Sequence, residues 1–209
     1  VNTILKYIPY VQTNFVLGMD NDEGELPFEL TKRFVDLAPA AFPGYSLLSA
    51  FGEAAPLNLG YQREGRVLGF PFHFLNNHLA MNIKPKHYEW IDFYNKVIDL
   101  TEYSFSKRAI YNRFRATNYF ISKWMNVMRA ISSEGYGRLR FYRKVRENLK
   151  HDHNFRAYFE GETNVLPKFY TDIVQKDLGI WWQWLPPEAM QHDQNAYLNK
   201  TLAKQAVVA

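Results

Sequence analysis

The chain contains 209 residues, carries a formal net charge of +4, and is 47% hydrophobic and 17% aromatic. A chain of this size can bury about 70% of its unfolded surface, which excludes a mainly disordered protein. It has no cysteine, which excludes disulfides, a thiol nucleophile and any zinc or iron–sulfur site held by cysteines of these residues. No apolar run reaches the roughly 18 residues that span a bilayer, so we expect a cytoplasmic chain, at most peripheral to a membrane.

Residues 1–80 show alternating strand and helix signals. Residues 10–18 have the β-branched and aromatic content of a short buried strand. Pro27 suits the first turn of a following helix. Residues 45–51 predict a second strand, because the turn dipeptide Pro43-Gly44 precedes them. A strand, a helix and a strand in about 40 residues predict a βαβ unit with parallel strands.

After Pro85 the pattern becomes helical. Residues 87–100, 119–131 and 139–149 carry apolar side chains at intervals of three and four, as amphipathic helices do. We therefore divide the chain into residues 1–80 and a mostly helical extension, residues 85–209. Two parallel strands make a sheet too small to stand alone, so we expect its missing strands to lie outside this sequence.

The acidic residues and histidines do not form a recognisable metal site. A calcium loop that starts at Asp20 would need glycine where Glu25 stands and a carboxylate where Thr31 stands. His73 and His78 are five residues apart, which is not the helical spacing of a zinc pair. We therefore expect no metal ligands and no catalytic residue in this chain.

Residues 107–150 are strongly basic, with twelve Lys and Arg against two Glu. Such a stretch could bind RNA or an anionic membrane surface through phosphate neutralisation. In the other interpretation, the charges lie on the solvated faces of core helices and the aromatic and apolar residues lie on their buried faces. The helical spacing of Trp124, Val127 and Met128 favours the second interpretation.

Three blocks occur in a fixed order: residues 13–34, residues 46–67 with Glu64-Gly65-Arg66, and residues 72–114 with Lys84-Pro85-Lys86. Together they resemble the carboxyl-terminal part of radical S-adenosylmethionine (SAM) enzymes, in the group that often carries a cobalamin-binding domain. In that family, a strand similar to residues 13–18 has a loose Gly-x-Ile-x-Gly-x-x-Glu pattern that touches the adenine of the cofactor.

The resemblance implies cofactor contacts at the matching positions, which are Asn14, Val16, Gly18 and Asn21. Val16 and Gly18 keep the apolar residue and the second glycine of the pattern. The full-length enzyme would bind S-adenosylmethionine and a 4Fe-4S cluster. Its Cys-x-x-x-Cys-x-x-Cys motif would lie upstream of Val1.

The resemblance also implies an α/β fold: the carboxyl-terminal portion of a partial (β/α) TIM-like barrel, followed by the mostly helical extension. Ligands gather at the carboxyl ends of strands in such barrels. Ser49 and Phe51, near the end of the second predicted strand, are therefore expected on the substrate side.

We thus expect a fragment of a radical SAM enzyme for a small-molecule or lipid-like substrate. It would be inactive and without cofactor alone, and its partner would be the missing amino-terminal half of the barrel. The alternative is a basic helical binding module for an anionic membrane surface or RNA, with nucleic acid the less favoured partner. A free-standing structural protein with a two-stranded core ranks last, because its sheet would be so small.

Overall fold

The computed structural model describes residues 1–50, 56–76 and 79–190. The strands are β1 (Gln12–Leu17) and β2 (Phe42–Leu47). The α-helices are α1 (Leu26–Leu37), α2 (Pro56–Arg63), α3 (Phe72–Asn76), α4 (Trp90–Ser104), α5 (Lys107–Ala116), α6 (Phe120–Ile131), α7 (Arg138–His151), α8 (His153–Glu160) and α9 (Lys168–Leu178). Short 3-10 helices cover Ile4–Lys6, Gly179–Trp184 and Pro187–Met190, and a π-helical turn covers Ser133–Gly137.

The chain divides into two compact units that interleave along the sequence. The first unit comprises Val1–Ser46 and Lys86–His151, and the second comprises Leu47–Pro85 and Asp152–Ala209. The two strands are neighbours in one sheet, and α1 connects them.

The expected fold class, an α/β carboxyl-terminal portion of a partial (β/α) TIM-like barrel, is wrong. The described part of the chain is 61% helical and contains only two short parallel strands. After β2, residues 56–76 contain α2 and α3 instead of another strand, and an isolated antiparallel bridge joins Val67 and Ile83. A barrel requires a row of tilted strands that pair with a neighbour on each side, and two strands cannot provide that row. The fold is mostly helical.

The second strand begins earlier than the sequence predicts, because Pro43 and Gly44 lie inside β2. A Cβ atom at Gly44 would lie 2.4 Å from Asn14 Oδ1 and 2.7 Å from Gln12 Nε2 of the neighbouring strand. Gly44 therefore gives room to two side chains of β1, and the dipeptide that predicts a turn is part of the sheet.

Apolar side chains from α1 and α4 build the core of the first unit. One side of the sheet is covered by α1, where the Phe15 ring lies 5.3 Å from that of Phe34 and 5.8 Å from that of Tyr45. The Tyr45 hydroxyl and the Ser104 hydroxyl lie 2.5 Å apart and share a buried hydrogen bond. Burial raises the pKa of Tyr45, so this phenol stays neutral.

Two arginines meet on the ring of Phe42, the first residue of β2. The guanidinium carbon of Arg129 in α6 lies 4.3 Å from the ring centroid, and that of Arg113 in α5 lies 5.5 Å from it. Arg113 is 1% exposed, and its Nε and Nη2 donate to the backbone carbonyls of Ala41 and Ser104 at 3.4 and 3.2 Å. Burial lowers the pKa of Arg113 to about 10, which leaves the side chain charged at neutral pH.

Aromatic rings form the core of the second unit. The ring of Tyr170 in α9 lies 5.0 Å from that of Phe70, 4.9 Å from that of Phe74 and 5.6 Å from that of Phe155. Tyr158 extends this cluster through Phe70, 5.2 Å away, and donates a hydrogen bond to the Gly69 carbonyl at 2.9 Å. Aromatic pairs at such distances add stabilisation beyond the area they bury.

The side chain of Asn82 takes the place of a backbone partner for Ala50. Its Oδ1 accepts from the Ala50 N–H and its Nδ2 donates to the Ala50 carbonyl, both at 2.8 Å, and both residues are fully buried. We expect Asn82→Ala to reduce the free energy of unfolding by about 3 kcal/mol, because it leaves a buried N–H and a buried carbonyl unpaired. Urea denaturation measures this loss. Asn118→Ala at an exposed position is the control, and equal effects of both changes would contradict the assignment.

The turn between α6 and α7 requires glycine at position 135. A Cβ atom there would lie 1.9 Å from the backbone oxygen of Ala130, whereas one at Gly60 in α2 would meet nothing within 4 Å. Because the clash is with backbone, we expect Gly135→Ala to lower the free energy of unfolding by about 2 kcal/mol or more. Gly60→Ala should raise it by up to about 1 kcal/mol, since alanine is the better helix former. Urea denaturation followed by circular dichroism compares the two variants. The changes in the free energy of unfolding must have opposite signs, and a loss of similar size in both variants would contradict the prediction.

Candidate functional site

One face of β1 is open to solvent. Side chains alternate along a strand, so Phe15 points to the side that α1 covers, whereas Gln12, Asn14 and Val16 are exposed. The Gln12 and Asn14 amides lie over Gly44 of β2. We call Gln12, Asn14, Val16 and Gly44 the open sheet face. It contains Asn14 and Val16, two of the residues that the resemblance assigns to cofactor contacts.

A chain of hydrogen bonds fixes the amides of this face. Arg129 Nη2 donates to Gln12 Oε1 at 2.7 Å, and Gln12 Nε2 donates to Asn14 Oδ1 at 2.6 Å. Arg129 itself donates through Nε to Glu134 Oε2 at 2.7 Å and through Nη1 to the hydroxyl of Tyr10. Asn14 is therefore oriented with its oxygen towards Gln12, and its Nδ2 is available as a donor on the open sheet face.

The electrostatics of this network keep Arg129 charged. Burial by itself would lower the pKa of Arg129, but its bonds to Glu134 and Tyr10 outweigh that effect and raise the pKa. Burial also raises the pKa of Tyr10, and the neighbouring guanidinium only partly opposes it. Tyr10 therefore remains a neutral phenol beside a permanent cation.

The loop after β1 is organised by Asp22. Its Oδ2 accepts from the backbone N–H groups of Gly18 and Met19, at 2.9 and 3.0 Å. Gly18 is buried and has a φ of 89°, a backbone conformation that glycine adopts without strain. Asn21 is exposed at the tip of this loop. The Gly18 N–H is thus occupied by Asp22, so this glycine shapes the loop and does not offer a free donor to a ligand.

The acidic residues further along the loop bind side chains of the first unit. Lys96 forms an ion pair with Glu25, and the Tyr88 hydroxyl donates to the Gly24 carbonyl at 3.0 Å. Burial, together with the nearby carboxylates, raises the pKa of Tyr88 to about 12. These contacts fix the loop to α4, which contains Lys96, and to the segment just before α4, which contains Tyr88.

The residues expected on the substrate side are placed differently. Ser49 is half-buried and belongs to the second unit, whereas Asn14, Val16, Gly18 and Asn21 belong to the first. Phe51 lies outside the described residues.

Sequence reasoning missed the residues that orient the site. Arg129 is 117 positions away from Gln12, which it binds. Arg129 and Glu134 are only five residues apart, so the sequence itself allows an ion pair between them. No local sequence pattern, however, indicates that this pair contacts a strand near the amino end.

Part of the basic stretch is paired with carboxylates in the described structure: Arg129 pairs with Glu134, and Lys150 lies 3.9 Å from Glu147. Arg143 lies 2.7 Å from Glu102 and Arg146 lies 2.7 Å from Glu147. The expectation that the apolar residues here are buried is wrong for α6, because Trp124 is 51% and Met128 is 60% exposed. Helical periodicity identifies a face, but it does not say which face packs inwards.

Neither the described residues nor similarity to known proteins identifies a function for this chain. Among the described residues, no group of three or more His, Asp or Glu is arranged to hold a metal ion. No helix in this part of the chain combines the length and the apolar character needed to cross a bilayer. The chain matches no protein-family model, no curated protein and no solved structure. Any proposed function therefore depends on the chain's own residues.

Asp22 allows a direct test of how the loop is held. We expect Asp22→Ala to speed hydrogen exchange at the Gly18 and Met19 amides and to cost about 2 kcal/mol of stability, because two bonds to a carboxylate are lost. Glu23→Ala, an exposed neighbour in the same loop, is the matched control. Unchanged exchange at both amides in Asp22→Ala would rule out this role for the carboxylate.

Proposed function

We propose that the chain is part of a radical S-adenosylmethionine enzyme and that its open sheet face binds the adenosyl group. One observation carries this proposal. Asn14 and Val16, which the resemblance assigns to adenine contacts, are both exposed on one face of β1, and a hydrogen-bond network orients Asn14. A polar contact that is held in place before the ligand arrives loses little conformational entropy on binding.

The chemistry of the open sheet face suits adenine. An asparagine carboxamide can donate to a ring nitrogen of adenine and accept from its amino group. Asn14 Oδ1 already accepts one bond from Gln12, but a carbonyl oxygen has a second lone pair. The exposed Val16 side chain offers apolar surface to the flat face of the base, and the absence of a side chain at Gly44 keeps the amides close to the sheet.

The iron–sulfur chemistry would come from polypeptide outside these residues. The chain contains no cysteine, so the three thiolates that hold a 4Fe-4S cluster have to be supplied by another segment. When bound, such a cluster supplies the electron for reductive cleavage of S-adenosylmethionine. The role of this chain is then to bind and orient the adenosyl group, next to a small-molecule or lipid-like substrate.

Binding of S-adenosylmethionine to the 209-residue chain tests the adenosyl site. We expect saturation-transfer NMR to detect contact with the adenine protons. Asn14→Ala should weaken binding roughly tenfold, because about 1–2 kcal/mol of hydrogen bonding is lost. Gly44→Ala should weaken it too, since its methyl group would displace the Gln12 and Asn14 amides.

Asn118→Ala is the control, because it makes the same chemical change at an exposed loop position. Binding that Asn14→Ala and Gly44→Ala leave unchanged would contradict the adenosyl site. The family assignment has its own test, the coding sequence upstream of Val1: a Cys-x-x-x-Cys-x-x-Cys motif there supports it. A cluster absorbance after anaerobic reconstitution of this chain with iron and sulfide would refute the division of roles.

A further inference from the structure

The helix α6 packs with its polar side inwards. Its buried face consists of Ser122, Asn126 and Ala130, which repeat every four residues. Its apolar face is exposed by between 42% and 73% at each position and consists of Phe120, Ile121, Trp124, Met125, Met128 and Ile131. Large apolar side chains scattered singly on a surface are normal, but six on one face of a 12-residue helix mark an interaction site.

The buried face contains a polar side chain whose hydrogen-bonding groups are unsatisfied. Asn126 is 2% exposed, and both its Oδ1 and its Nδ2 are buried without a hydrogen-bond partner. A buried carboxamide without partners costs free energy, and so does apolar surface left in water. The helix α6 therefore has two unfavourable features, a buried amide without partners and apolar side chains in water. A partner that covers the apolar face would remove the second.

The surroundings of the apolar face are basic. Between Lys107 and Ser133 the chain has six Lys and Arg and no Asp or Glu, and four of the six remain for the surface, because Arg113 is buried and Arg129 pairs with Glu134. The Lys123 ammonium lies 5.3 Å above the ring of Phe114, whose centroid is 5.7 Å from that of Trp124. A cation therefore stands directly beside the aromatic part of the apolar face. Lys123 is half-buried, whereas Arg115, on the adjoining helix α5, is exposed and adds a second cation.

We propose that α6 lies on an anionic lipid surface, with its apolar face in the headgroup region and Lys123 and Arg115 against the phosphates. Helices that bind membranes in this way combine tryptophan, phenylalanine and aliphatic residues on one face with lysine and arginine at its border. Twelve residues span about 18 Å, which suits a helix that lies in the interface and is too short to cross it. This proposal is independent of the adenosyl site.

Charge argues against the other occupants. In a symmetric pair of chains, the same surface would face itself and bring Lys123 and Arg115 near their own copies, with no carboxylate in residues 107–133 to neutralise them. RNA would gain from the cations and from Trp124, but Ile121, Met128 and Ile131 offer neither stacking nor hydrogen bonds to bases. An anionic lipid surface can both bury the apolar face and neutralise the cations at its border.

Co-sedimentation of the full 209-residue chain with vesicles tests the proposal. The chain should bind vesicles of phosphatidylglycerol and phosphatidylcholine, bind phosphatidylcholine alone much more weakly, and lose affinity as salt is added. Ile121→Asp should reduce binding at least about tenfold, because it places a carboxylate in the interface. Lys123→Gln and Arg115→Gln should each reduce it about fivefold on the anionic vesicles.

Leu30→Asp, on an exposed position of α1, is the matched control and should bind like the unmodified chain. Circular dichroism checks that each variant folds. If Ile121→Asp does not fold, Met128→Asp tests a second position on the same face. Absence of vesicle binding, or binding that Ile121→Asp and Met128→Asp leave unchanged, overturns the proposal. So does a dimer, or an RNA complex, that Ile121→Asp disrupts while vesicle binding persists.

Discussion

The stacking of Arg113 and Arg129 on the ring of Phe42 determines how the helices of the first unit meet the sheet. Both guanidinium carbons lie within 6 Å of the ring centroid, one from α5 and one from α6. A cation over an aromatic ring contributes about 0.5–2 kcal/mol, more when water is excluded. Since Phe42 also begins β2, these contacts fix two helices against one end of the strand pair. They support the two described strands, which would be too small a sheet to be stable by themselves.

The same contacts explain why α6 is turned with its apolar face outwards. Arg129 lies on the same side of the helix as the buried residues Asn126 and Ser122, because residues three and seven apart share a face. When Arg129 reaches Phe42, Gln12 and Glu134, that side has to face the sheet. The large apolar side chains then face the solvent. A contact that is favourable for the sheet is therefore the direct cause of the exposed surface on α6.

The sequence predicts the local elements better than their assembly. Hydrophobic periodicity depends only on residues close together in the sequence. It indicates the strand near Phe15, and apolar residues at intervals of three and four indicate the long helices of the carboxyl half. The start of β2 escapes prediction, because Pro43-Gly44 is typical of a turn and its place in the sheet depends on the Gln12 and Asn14 amides across the strand pair. The barrel was inferred from resemblance alone, and the two described strands do not form one.

The candidate site shows the same division between local and distant information. The resemblance to the family pattern singles out Asn14 and Val16, and strand alternation is enough to place them on one face. The orientation of the Asn14 amide depends on Arg129 through Gln12, and no pattern near Asn14 could indicate that. The outward turn of α6 was missed for the same reason, since the hydrophobic period of a helix is identical whether its apolar face is covered or exposed.

The two exposed surfaces of the first unit have opposite chemistry, although Arg129 holds both in place. The polar groups of the open sheet face are already oriented, which favours a small ligand with its own donors and acceptors. The apolar face of α6 is broad and bordered by cations, which favours an extended anionic surface. Because Arg129 links Gln12 to α6, loss of its guanidinium would affect both surfaces, whereas changes at Asn14 or Ile121 should each affect one. The two surfaces therefore share a support and remain chemically separate.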